Sequence, residues 1–160
     1  MAPSRTPAVA LLLTAGALLL SACSASTPAG GSAANDREAV RAITAAESSA
    51  GGRAFQLESD DGVWEVHVAS GDREVEVRVS ADGGEVTATS DSGALDGADR
   101  AALDAAVTTL ADAVRIAAAQ GEGGAIDEAE LRREGSTTTW DVELIGGAVV
   151  RVSAADGSIG

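Results

Sequence analysis

The sequence contains few of the residues that catalytic and metal sites use. Among its 160 residues there is one cysteine and one histidine, and there is no lysine or tyrosine. One cysteine excludes a disulfide within the chain, and one cysteine with one histidine is too few for a Cys/His zinc site. No G-x-S-x-G, H-E-x-x-H or C-x-x-C motif occurs. We therefore predict a protein that is not an enzyme and that has no cofactor and no metal.

Positive charge is also scarce. The chain has 11 basic residues, all of them arginine, against 25 acidic residues, which gives a net charge of −14 at pH 7. Nucleic acids and anionic lipid surfaces attract clusters of arginine and lysine. The acidic balance therefore predicts that the protein does not bind nucleic acid. Apolar residues make up 45% of the chain, so it can still bury a core.

The N-terminus has the pattern of a targeting segment. Arg5 precedes a 13-residue apolar stretch, residues 8–20. A membrane-spanning helix needs about 20 apolar residues, whereas a signal peptide needs fewer. The stretch ends in Leu20-Ser21-Ala22-Cys23, which resembles the bacterial lipobox. The alternative is an ordinary secretory signal with a chance cysteine.

The lipobox resemblance implies an anchor and a location. Residues 1–22 would be removed as a lipoprotein signal peptide, and Cys23 would be diacylated, with palmitate among the expected acyl chains. Residues 23–34 contain mostly small and polar residues, which predicts a flexible tether. We expect the folded part to stand on the extracytoplasmic face of the cell membrane, held there by its lipid anchor.

The rest of the chain contains an internal repeat. Trp64-Glu-Val-His-Val68 matches Trp140-Asp-Val-Glu-Leu144 at an offset of 76, and Val77-Arg-Val-Ser-Ala81 matches Val150-Arg-Val-Ser-Ala154 at an offset of 73. A duplicated unit explains such collinear matches better than shared composition does. We predict two units, residues 35–90 and 105–160. Residues 91–104 would form a linker and the start of a long helix.

Each unit is predicted to begin with a helix. In the first, Asn35 followed by Glu38 has the spacing of a capping box, and Gly51-Gly52 ends the helix. In the second, apolar residues recur every three or four positions, which predicts a helix from about Asp99 to Gln120.

Alternating apolar residues after each helix predict antiparallel strands. We expect Phe55 and Leu57 to share one face of the first strand, and Trp64 to open the second. A fourth strand is predicted at Val86. In the second unit the pattern predicts a hairpin at Gly146-Gly147. The fold class is therefore α+β, with each unit a helix packed on a sheet of three to four strands.

The order of these motifs resembles the PepSY family. The helix, the tryptophan that opens the central strand, and the sequences Val77-Arg-Val-Ser-Ala-Asp-Gly83 and Val150-Arg-Val-Ser-Ala-Ala-Asp-Gly157 carry the resemblance. The chain departs from the family pattern at Ser80 and Ser153, where many members have aspartate. Members occur in propeptides of thermolysin-like metallopeptidases and in bacterial envelope proteins. The resemblance implies a tandem PepSY lipoprotein that regulates a peptidase.

The remaining candidate residues lie on one predicted strand face. We predict that His67 is exposed and has no catalytic partner. Glu65, Glu74 and Glu76 would share its face with Arg78, either as a solvated charged surface or as a weak site for a divalent cation. Trp64 and Trp140 are expected in the core rather than as ligand platforms.

Two functions remain open from the sequence. One is a lipid-anchored module that binds a secreted or envelope peptidase, or another envelope protein, and restrains it. The alternative is a passive structural or sensory envelope lipoprotein with no inhibitory activity.

Overall fold

The computed structural model describes residues 29–120 and 124–160. The predicted signal peptide, Cys23 and the start of the tether lie outside these residues. The described part is α+β, with three helices and one antiparallel sheet of seven strands. In chain order the elements are α1 Ala29–Ala50, β1 Arg53–Asp60, β2 Val63–Ser70, β3 Arg73–Ser80, β4 Val86–Ala94, α2 Gly97–Ala105, α3 Leu110–Gln120, β5 Ile126–Glu134, β6 Thr137–Leu144 and β7 Ala148–Ser153.

The strands of both halves form one continuous sheet. Its order is β4-β3-β2-β1-β5-β6-β7, so each half is a meander and the two meet where β1 pairs with β5. Leu57 lies opposite Ala129 at this junction. The sequence predicted a separate sheet for each unit. Pairing β1 with β5 removes two unpaired strand edges, which favours the joined sheet.

The core lies between this sheet and two helices on one of its faces. α1 contacts β1, β2 and β3, α3 contacts β5, β6 and β7, and the two helices contact each other. Trp64 and Trp140 are buried as predicted. Each indole N–H donates a hydrogen bond of 3.0 Å to a backbone carbonyl, of Ala81 and Thr108 respectively. Both halves thus contribute one tryptophan to a single core.

A glycine turn follows the third strand of each half and touches the helix of that half. Gly83 and Gly157 have φ angles of +71° and +75°. A Cβ at Gly83 would lie 2.3 Å from the Glu38 carbonyl oxygen of α1, and a Cβ at Gly157 would lie 3.1 Å from Ile116 Cδ1 of α3. These glycines therefore let the turn approach the helix closely.

An aspartate organises each of these turns. The carboxylate of Asp82 accepts hydrogen bonds from the Ser80 hydroxyl and the Gly84 N–H, and these bonds lower its pKa. Asp156 accepts from the N–H and the hydroxyl of Ser158, and its pKa is lowered as well, with the N–H bond as the largest cause. In both turns the aspartate accepts a hydrogen bond from the N–H two residues later, while the serine hydroxyl that bonds to it precedes Asp82 and follows Asp156.

The helix boundaries differ from the sequence prediction at both helices. α1 begins at Ala29, so residues 29–34 of the predicted tether are helical. Asn35 does not cap the helix, because its Oδ1 accepts a hydrogen bond of 2.6 Å from the N–H of Ile126 at the start of β5. The side chain of Asn35 thus bonds to β5 and does not cap α1, so it does not mark the start of the helix.

The predicted helix from about Asp99 to Gln120 is two helices. α2 ends at Ala105, and α3 begins at Leu110. Between them the N–H groups of Val107 and Thr108 donate to the carbonyl of Ala154, at 2.8 and 2.9 Å. These tertiary hydrogen bonds replace the helical ones and break the helix. Residues 91–104 accordingly hold the end of β4 and most of α2, so a helix begins in this range as expected, but it is short and strand occupies part of the predicted linker.

Matching bulges interrupt the two central strands. The pairing register shifts between Ala54 and Gln56 in β1, and between Ile126 and Glu128 in β5. Ala54 and Leu57 are therefore the buried residues of β1, while Phe55 is only partly buried. The prediction that Phe55 shares a face with Leu57 is wrong, because the extra residue of a bulge changes the alternation.

Candidate functional site

The candidate site lies on the face of the sheet that points away from α1 and α3. Trp64, Val66 and Trp140 are buried on the helix side. Because side chains alternate along a strand, their neighbours point to the opposite side. We call this opposite side the outer face. Among the described residues, no helix packs on it.

His67 lies in the first half of the outer face, between two carboxylates. Its Nδ1 is 2.7 Å from Oε1 of Glu74, and its Nε2 is 3.6 Å from Oε1 of Glu65. The ring centroids of His67 and Phe55 are 6.1 Å apart, and the His67 side chain is only 19% exposed. The prediction of an exposed histidine is therefore wrong, since the β1 bulge brings Phe55 over it.

The surroundings of His67 do not form a catalytic pair. Both ring nitrogens face carboxylates, whereas a general base that activates a nucleophile needs a hydroxyl or thiol within hydrogen-bond reach. The arrangement of His67 with Glu65 and Glu74 is a network of polar contacts.

Arg78 supplies positive charge to the same network. Its Nε and Nη2 lie 3.2 and 3.1 Å from Oε2 of Glu65, and its Nε lies 3.9 Å from Oε1 of Glu76. The expected shared face of these residues with His67 is confirmed. The guanidinium of Arg78 therefore already neutralises part of the negative charge of Glu65 and Glu76, which would otherwise attract a metal cation.

Three of these residues could hold a metal ion in principle. One donor atom each of Glu65, His67 and Glu76 lies within 4.8 Å of the others. Calcium prefers six to eight oxygen ligands, so three donors on a flat strand surface would bind it weakly. A divalent cation would also compete with Arg78 for Glu65. The geometry favours the network of polar contacts over a metal site.

A row of four glutamates crosses the middle of the outer face. Glu143 lies opposite Glu128, Glu128 opposite Glu58, and Glu58 opposite Glu65, on the adjacent strands β6, β5, β1 and β2. We call these four residues the glutamate row. Residues directly opposite each other on antiparallel strands are near neighbours, so like charges there repel.

Glu128, in the middle of the row, has a raised pKa. Burial raises its pKa, and the nearby charges of Glu130, Glu58, Glu143 and Asp127 raise it further. A shallow cavity of about 170 Å³ lies beside it on the outer face. The cavity is lined by Glu128, Glu130, Arg132, Asp141, Glu143 and Val149. The row therefore continues into an acidic depression in the second half of the sheet.

Sequence reasoning did not find the glutamate row. The alternation in Trp140-Asp-Val-Glu-Leu144 does indicate that Glu143 points away from the core. The sequence therefore indicated the orientation of this one member of the row. Glu58 and Glu128 follow the bulges, which hide the alternation. Their position in one row depends on the pairing of β1 with β5, a contact between distant segments.

Within residues 29–120 and 124–160, no helix has both the length and the apolar character that crossing a membrane requires.

The comparisons with known proteins identify part of the chain. Residues 109–159 match a family model described as PepSY: Peptidase propeptide and YPEB domain. This segment is a PepSY domain. It contains α3, β5, β6, β7 and the turn that follows them. The resemblance seen in the sequence is confirmed for this segment, and for residues 35–90 it stays a prediction.

Two further comparisons complete this picture. No curated protein matches the chain. A solved structure from Clostridium difficile 630, described as "a putative lipoprotein", is 18% identical, and the match covers 74% of this chain and 87% of that chain with a TM-score of 0.46.

Proposed function

We propose that the protein is a lipoprotein, anchored through Cys23 to the extracytoplasmic face of the cell membrane, that binds a protein partner. We further propose that the partner is a secreted or envelope peptidase and that binding restrains it. The observation that carries this proposal is the PepSY domain at residues 109–159, whose family description names peptidase propeptides. A propeptide acts by binding, and it needs no catalytic residues of its own.

The first half is proposed to be a second PepSY unit. Both halves have a buried tryptophan on the middle strand, a bulge in the strand at the centre of the sheet, and a left-handed glycine that touches the helix. These features stand at equivalent places in the two meanders. Together with the sequence repeat, they support a tandem arrangement.

The surface of the molecule also supports binding rather than catalysis. His67 is engaged by carboxylates, and the chain has no lysine or tyrosine that could act in its place. The outer face, by contrast, is broad, charged and not covered by any described helix. Such a face is suited to contact with another protein.

An inhibition assay tests the proposal. The full-length lipidated protein in detergent micelles is titrated against metallopeptidases secreted by its own organism, and binding and inhibition are measured separately. We expect stoichiometric binding and loss of peptidase activity. Binding without inhibition would favour the alternative function, a structural or sensory envelope lipoprotein. Absence of any binding to envelope or secreted proteins would refute the proposal.

A further inference from the structure

The glutamate row is unfavourable for folding. Three consecutive cross-strand pairs place glutamate opposite glutamate. Glu130 also lies opposite Asp141, whereas two other positions on this face pair opposite charges, Glu65 with Arg78 and Asp141 with Arg151. The ion pairs at these positions have distances of 3.1 and 3.3 Å. Arginines thus offset the acidic charge at Glu65 and Asp141, while Glu58, Glu128 and Glu143 have no basic residue opposite them, and Glu128 accepts only a long hydrogen bond of 3.5 Å from Gln56.

The centre of the outer face is also open to a partner. α1 and α3 pack on the other side of the sheet, and Leu103 of α2 is buried in the same core. The ring of Phe55, the only phenylalanine, has its centroid 6.1 Å from that of His67, and the side chain is partly buried against the core. An aromatic ring next to carboxylates can contact the aliphatic part or the guanidinium of an arginine.

We propose that the outer face is the docking surface of the partner and that it binds a segment rich in arginine and lysine. The inference rests on the proposed partner binding and specifies its surface and chemistry. Charge complementarity selects this occupant, because basic side chains placed between Glu58, Glu128 and Glu143 would offset the repulsion among these three carboxylates, which have no basic residue opposite them. Adjacent strands are about 4.8 Å apart, so the row is roughly 14 Å long and has room for two or three basic side chains.

A pair of matched variants tests this surface. The row variant, Glu58→Gln, Glu128→Gln and Glu143→Gln, removes three negative charges from the outer face. The control variant, Asp72→Asn, Glu85→Gln and Asp104→Asn, removes three negative charges from exposed positions outside the row. Both have the same net charge, so non-specific attraction is equal in the two. The probe is a fluorescent nona-arginine peptide, titrated into the full-length proteins at low salt.

The proposal predicts that the two variants differ. The row variant should bind the peptide at least tenfold more weakly than the wild type, and the control variant less than threefold more weakly. The melting temperature of the row variant should rise by a few degrees because the repulsion is gone, while that of the control should not rise. Equal weakening in both variants, or a lower melting temperature of the row variant, would overturn the proposal.

Two further measurements distinguish the basic docking surface from a cation site and test it separately from the proposed function. Saturable binding of Ca²⁺ alone that is lost in the row variant would identify a cation site and overturn the basic-partner proposal. In the peptidase titration, equal binding by wild type and row variant would overturn the docking surface and leave the proposed function intact. Failure of the wild type to bind any peptidase would refute the proposed function, while the peptide titration would still decide the surface.

Discussion

Replacing Gly83 with alanine should destabilise the fold more than replacing any glycine of an open turn. The backbone at Gly83 has a φ of +71°, which costs an alanine about 1–2 kcal/mol. Its Cβ would also lie 2.3 Å from the Glu38 carbonyl oxygen and 2.9 Å from the Ala42 nitrogen. Both are backbone atoms of α1, so no side chain can rotate away, and the overpacking adds about 1–3 kcal/mol. The expected loss is about 2–5 kcal/mol.

Gly71→Ala is the matched control. Gly71 has a φ of +58°, but a Cβ there would have no heavy atom within 4 Å. It should therefore cost only the backbone strain, about 1–2 kcal/mol. Gly157→Ala should fall between the two, because its nearest contact is the end of the Ile116 side chain, which can move.

Urea unfolding followed by tryptophan fluorescence measures these differences. We expect the free energy of unfolding to decrease in the order Gly71→Ala, Gly157→Ala, Gly83→Ala, with an unchanged m-value. A Gly83→Ala loss equal to that of Gly71→Ala would refute the reasoning, because it would show that the turn does not contact α1 as described.

Three other predictions follow from the anchor, the acidic face and the core. Cys23→Ala should release the protein from membranes or leave an unprocessed precursor, which fractionation and mass spectrometry would detect; unchanged retention and mass would contradict lipidation. The free energy of unfolding should rise as the pH falls from 7 toward about 5, because the Glu128 carboxyl, whose pKa is raised in the folded state, takes up a proton more readily there than in the unfolded chain. Glu128→Gln should flatten this rise, and identical pH profiles of the wild type and the variant would contradict the prediction. Trp140→Ala should cost about 3–5 kcal/mol and lower the single unfolding transition of both halves; two well-separated transitions would contradict a shared core.

Features set by neighbouring residues could be predicted from the sequence. The antiparallel strands, the hairpin at Gly146-Gly147 and the burial of Trp64 and Trp140 follow from local alternation and turn residues, and all are confirmed. Each depends on side chains within a few positions of one another.

Features set by distant contacts could not be predicted. The break before α3 depends on the carbonyl of Ala154, and Asn35 bonds to Ile126 across 91 positions. The bulge at Phe55 and the glutamate row depend on the β1–β5 pairing, which joins two halves that the sequence presents as separate units. Tertiary hydrogen bonds and strand pairing overrode the local pattern in each case.

Carbodiimide cross-linking on intact membranes tests the central claim most directly. The reagent joins carboxylates to lysines, and this chain has no lysine, so any such cross-link to a lysine side chain comes from another molecule. We predict that peptide mapping will find the partner's lysines joined to Glu58, Glu128 and Glu143, with loss of these products at high salt as charges are screened. Cross-links confined to carboxylates on the helices, or no cross-linked protein at all, would contradict partner binding through the outer face.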